Sequence, residues 1–137
     1  MNQEIVQVVT DFNNTLLSLA MNVASICPTT IIGSNMKDIE KAIKRKDNLT
    51  KFIDLFCIKV LQYKDKIDAG DESFFLTKDY TSDLGDQDSS YLSHVLSFKD
   101  IWGKLKKENK SIVLVNMQIL CELSQQYYEY ILSLKTN

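Results

Sequence analysis

The sequence predicts an all-α fold: a compact bundle of four main helices plus one short helix, with an acidic loop in the middle. Three observations predict it. Apolar residues recur at alternating steps of four and three in segment after segment, which sets each group on one face of an α-helix. One proline and four glycines in 137 residues leave few forced breaks. The β-branched run at Ile112–Val115 has no second strand in the chain to pair with, so helix is favoured there too. One domain, residues 1–137, is expected. A chain of that size buries roughly 68% of its unfolded surface without staples.

The first helix is expected from about Asn2 to Cys27, with Ile5, Val9, Phe12, Leu16, Leu19, Val23 and Ile26 as its seam. Val6, Val8, Leu17, Ala20 and Ala24 widen the arc, so this should be the most buried helix, and Pro28 stops it. A loop with an apolar hook at Ile31 and Ile32 follows. Ser34 or Asn35 then caps a short second helix to about Arg45, with Met36, Ile39, Ala42 and Ile43 inward. Asp47 or Asn48 caps a third helix to about Ala69, along Leu49, Ile53, Phe56, Val60, Tyr63 and Ile67. Gly70 suits the left-handed position just past its end.

Residues 71–90 carry six acids against Lys78 alone. Phe74–Leu76 should dock on the bundle as an apolar plug, and 81–89 should be the most mobile internal segment. Ser89 or Ser90 caps a fourth helix, about Tyr91 to Lys107, with Leu92, Val95, Leu96, Phe98, Ile101, Trp102 and Leu105 inward. Gly103 weakens that helix and, beside Trp102, suits a close helix approach. A fifth helix runs from Asn109 or Ser111 to about Leu134, with Val113, Met117, Leu120, Leu123, Tyr127, Ile131 and Leu134 inward.

The formal charge of −2 makes no global case for nucleic acid or an anionic membrane. Arg45 is the single arginine among sixteen basic residues, a poor set for bidentate phosphate recognition. Cys27, Cys57 and Cys121 are odd in number and sit in apolar stretches, so they read as buried thiols in a reducing compartment, cytoplasm or nucleus. The apolar stretch Leu16–Cys27 is too short to span a bilayer. Acids and no basic residue precede it, so it reads as core and not as a signal segment. The sequons at Asn13, Asn48 and Asn109 are then chance matches.

Chemistry-bearing residues read more plainly as surface. Asp86, Asp88 and Ser90 could open a calcium loop, but Tyr91 and Ser97 stand where glycine and glutamate are needed. His94 is alone, so neither a zinc site nor a Ser/His or Cys/His nucleophile has its partners. No enzyme, cofactor or metal is therefore expected. Two basic patches remain: Lys41, Lys44, Arg45 and Lys46, and Lys104, Lys106, Lys107 and Lys110. Neither is interleaved with aromatics, and the helix dipole alone favours the first at a helix end. Tyr128 and Tyr130 cannot both hide beside Tyr127, and an outward tyrosine suits a partner contact.

The run Tyr63–Tyr80 (YKDKIDAGDESFFLTKDY), with the Asn48–Val60 helix before it and the Phe12-Asn-Asn-Thr-Leu16 start, resembles short helical proteins encoded by nucleocytoplasmic large DNA viruses. The resemblance covers about two thirds of the chain. It implies a small viral protein made in infected cells, with the virion as one destination, and it transfers no catalytic residue. The expected function is a non-enzymatic interaction or structural module that docks a protein partner or forms a homo-oligomer. Phe74, Phe75, Tyr80, Tyr128 and Tyr130 are the candidate contacts, and a leftover apolar stripe on the first or fifth helix is a candidate two-fold interface. The alternative is a nucleic-acid-associated accessory protein using the lysine patches.

Overall fold

The computed structural model describes residues 2–28, 31–78 and 87–136. All the regular structure among them is helical, in eight α-helices and two short 3₁₀ turns. The frame is α1 (Gln3–Ile26) against α8 (Lys107–Thr136), the most extensive helix contact in the molecule. Ile5 and Val8 of α1 lie beside Gln126 and Tyr130 of α8, so the two run antiparallel. Asn2 caps α1 by accepting from the Ile5 N–H at 2.9 Å, as a side-chain oxygen at that position should. Of its seam, Val9, Phe12, Leu16, Leu19 and Val23 are no more than 2% exposed. Phe12 meets Phe56 edge to face, with centroids 5.4 Å apart.

Between these two come α2 (Ile31–Ser34), α3 (Met36–Ile43) and α4 (Lys51–Lys59), then α5 (Lys64–Asp68), α6 (Glu72–Thr77) and α7 (Gln87–Leu96). In α3, Ile39, Ala42 and Ile43 are buried as the spacing requires. Asn35 stands at the cap position of α3 without a capping side-chain bond. Gly70 has φ +67°, the left-handed conformation that ends a helix without a Cβ penalty.

Two expected helices are broken. The third stops at Lys59, where Val60 at φ −120° leads into a 3₁₀ turn (Leu61–Tyr63) and then α5. Its caps differ too, with Thr50 preceding α4 in place of Asp47 or Asn48. The fourth starts earlier, at Gln87, and ends at Leu96; a 3₁₀ turn follows at Trp102–Lys104. In one straight helix the buried set Leu92, Val95, Leu96, Phe98, Trp102 and Leu105 would spread over about half the circumference. The break brings both halves to the core.

Other expectations fail locally. Among the described residues nothing lies within 4 Å of a Cβ built on Gly103, so no described helix approaches it closely. The acidic stretch is not one loop, since 72–77 and 87–90 are helical; residues 79–86, with the expected mobility there, lie outside the described residues. Leu76 (46% exposed), Leu49 (42%) and Leu134 (56%) face outward. For Leu134 the cause is length. Thirty residues make α8 about 45 Å long against about 36 Å for the 24 of α1, so its end outruns its partner.

Candidate interaction surface

Two stripes at steps of four and three run along α8. The inner one, Val113, Met117, Leu120, Ser124 and Tyr127, is buried against the rest of the fold. Ser124 satisfies its hydroxyl on the Leu120 carbonyl at 2.7 Å, and the Tyr127 hydroxyl donates to Asp54 Oδ1 at 2.7 Å. Burial, and then the Asp54 carboxylate, push the Tyr127 pKa up. The outer stripe is Glu108, Ile112, Val115, Ile119, Glu122, Gln126 and Glu129, and every member is exposed. Its middle is apolar and β-branched: Ile112 is 40% exposed, Val115 52% and Ile119 42%. Its ends are polar. A solvent-facing helix surface gains nothing from three adjacent branched aliphatics, whereas an apolar centre with a polar rim is the anatomy of an interface.

Where the outer stripe meets the start of α1, a cleft of about 280 Å³ opens. Ile5 and Val8 line its apolar part, and Glu4, Glu129, Gln126 and Tyr130 its polar part. Glu129 also accepts from the Gln125 amide at 3.1 Å. Apolar walls with two carboxylates suit a long cationic side chain, which buries its stem and leaves its head among acids.

Before and at the opposite end of α8, Lys104 closes the 3₁₀ turn, Lys106 stands in the link and Lys107 opens the helix, and all three are exposed. The N-terminal end of a helix carries positive partial charge, so cations there are disfavoured by local electrostatics. Lys110 has an internal reason for its place. Its ammonium is 3.1 Å from Glu72 Oε1, which also accepts from the Trp102 indole at 3.2 Å. Lys110, and then Trp102, hold the Glu72 carboxyl below its usual range. In the other patch Lys44 pairs with Glu40 at 3.3 Å and Arg45 with Asp47 at 3.6 Å, while Lys41 and Lys46 are exposed near the same helix end.

The aromatic candidates divide. Phe74 and Phe75 are 7% and 2% exposed, and they stand in the core instead of on a face open to a partner. Phe75 stacks on Trp102 with centroids 4.5 Å apart and meets Phe98 edge to face; Phe74 packs on Tyr63. This aromatic row pins α6, which Asp71 caps through the Ser73 N–H at 3.0 Å. Tyr80 lies outside the described residues. Tyr128 is 44% exposed, and Tyr130 is half-buried at the cleft. The spacing therefore identified outward tyrosine on the last helix and missed which aliphatics lie beside it.

Catalytic geometry does not assemble among the described residues. Ser90 and His94 are 3.3 Å apart, but four residues apart on one helix, and this is a local contact. No group of three or more metal-ligating side chains stands together among the described residues. Asp86 of the considered calcium loop lies outside them. No described helix is long and apolar enough to cross a membrane. Burial pushes the Cys57 thiol up to about 11 and the Cys121 thiol up to about 12, so both stay protonated at neutral pH. A maleimide at pH 7 should therefore label Cys121 in denaturant at least tenfold faster than in the folded protein (roughly, from thiolate access). Equal rates, read by mass spectrometry, would show that this thiol is not enclosed. Comparison of the chain with protein-family models, with curated proteins and with solved structures finds no match.

Proposed function

We infer that this protein is a non-enzymatic helical interaction module that docks a protein or a second copy of itself through the outer face of α8. The observation that carries the reading is the exposed triplet Ile112, Val115 and Ile119 at helical spacing, set between polar ends. Each isolated exposed aliphatic is ordinary; three in register on the longest helix are not. A role in infected cells or in the virion belongs to the same proposal and rests only on the resemblance carried by residues 12–16, 48–60 and 63–80.

The alternative is a nucleic-acid accessory role for Lys104, Lys106 and Lys107, favoured by their placement against the helix dipole. Affinity capture with the wild type and with Val115→Asp separates the two. Val115 is half-exposed, so the variant should fold, with an unchanged circular dichroism spectrum. A protein retained by the wild type and lost by V115D supports the docking face. Recovery of nucleic acid released by moderate salt, equal for both proteins, supports the lysines instead. Identical protein recovery with both would remove α8 from the reading.

A further inference from the structure

We propose that the outer face of α8 pairs antiparallel with α8 of a second copy, about a two-fold axis level with Met117, and that Lys104 and Lys106 of each copy enter the Glu4–Glu129 cleft of the other. This deepens the reading of α8 as a docking face and rests on it. Three features with no common explanation inside one chain are joined by the pairing: the exposed triplet, the lysines at the disfavoured helix end, and the acid-lined cleft.

The register follows from the numbering. In an antiparallel helix pair with a four–three repeat, each layer matches a position reached by a step of four with one reached by a step of three. Taking Val115 against Ile119 of the second copy gives two such layers, related by the two-fold, one on each side of Met117. The next layers outward then follow without further choice. Ile112 meets Glu122, whose carboxylate is turned to Lys64 at 3.5 Å. Glu108 meets Gln126, a carboxylate against an amide. Glu129, twelve residues beyond Met117, reaches past Lys107, where α8 begins, to the chain that leads into the helix. Lys104, at the end of the 3₁₀ turn, and Lys106, just before α8, lie in that leading chain, and both are exposed. The ten residues of helix from Lys107 to Met117 span about 15 Å, so the two helices would run together for about 30 Å.

Charge favours this direction over the parallel one. The leading end of α8 is rich in lysine, and its second half carries Glu122 and Glu129 on the outer stripe. A parallel pair would put lysine on lysine and acid on acid. In the antiparallel pair each lysine end faces a cleft whose apolar walls, Ile5 and Val8, accept the methylene stem while Glu4 and Glu129 receive the ammonium. The cleft occupant is then a side chain of this same chain. The polar ends fix register, and the aliphatic centre supplies the burial.

Sedimentation equilibrium of the pure protein, with charge reversal, tests this. The wild type is expected to show reversible dimers at tens of micromolar, as suits a small interface (roughly, by size class). Val115→Asp is expected to be monomeric with an unchanged circular dichroism spectrum. Lys104→Glu with Lys106→Glu, and separately Glu4→Lys with Glu129→Lys, should each weaken the dimer about tenfold, and all four together should restore it. A monomeric wild type at ~200 μM, far above that range, would overturn the pairing. So would a dimer indifferent to V115D, or a quadruple variant no better than either pair of reversals. If the pure protein is monomeric while capture of another protein is still lost with V115D, the docking reading stands and the second copy is the wrong occupant.

Discussion

Replacing Phe75 by alanine should lower the stability of the fold by about 3–5 kcal/mol, the cost of deleting a buried aromatic and leaving its space. The ring is 2% exposed, stacked on Trp102 and in edge contact with Phe74 and Phe98. Its removal takes the centre out of the row that holds α6. Chemical denaturation would read the loss as a lower midpoint. Trp102 is the single tryptophan in the chain, so its fluorescence reports on the same contact. Leu76→Ala, next along the chain but 46% exposed, should change stability by no more than about 0.5 kcal/mol. Equal effects at the two positions would mean that α6 is not seated by its aromatic pair. The contrast also governs how binding data on this segment are read: loss of a partner in F75A would report a damaged core before it reported a lost contact.

Gly33→Ala should be nearly as costly, about 3 kcal/mol, the upper end of what overpacking does. A Cβ at this position would lie 2.2 Å from the Pro28 carbonyl oxygen and 2.6 Å from its carbon. Those are backbone atoms, which cannot rotate aside as a side chain would. Relief requires α2 to move away from the end of α1, and Ile32, 4% exposed, would move with it. Gly103→Ala is the matched control. It meets nothing within 4 Å among the described residues and needs no positive φ, so it should stabilise by about 0.4–1 kcal/mol through the unfolded chain. Thermal melts of the two variants should move in opposite directions; a Gly33→Ala melt no lower than wild type would show that the Pro28 contact is looser than its geometry.

The outline of α1, from its Asn2 cap to its stop before Pro28, was legible because propensity, pattern and capping agree there. The helix breaks near Val60 and Ser97 were not. The four–three series passes through both points in phase, and only packing on other helices makes a bent path better than a straight one. Phe74 and Phe75 were legible as a docking plug but misread as a surface for a partner, because composition cannot say whether an aromatic meets its own chain or another. On the last helix, the pattern predicted leftover apolar surface without saying which residues form it. The inner and outer series share the same step, and burial alone tells Val113 and Met117 from Ile112 and Val115. The cleft at Glu4 and Glu129 joins residues from the two ends of the chain, a pairing that no local pattern carries.

The pairing of α1 with α8 has a consequence for synthesis. About 110 residues separate the end of the first helix from the end of the last, and at 5–20 residues per second a ribosome needs roughly 5–20 s to supply them. Throughout that interval the nascent chain carries a finished amphipathic helix whose principal counterpart is not yet complete. A message truncated anywhere within α8 would release a polypeptide with part of that face permanently bare, and such products should be substrates for chaperones and proteases instead of smaller folded proteins.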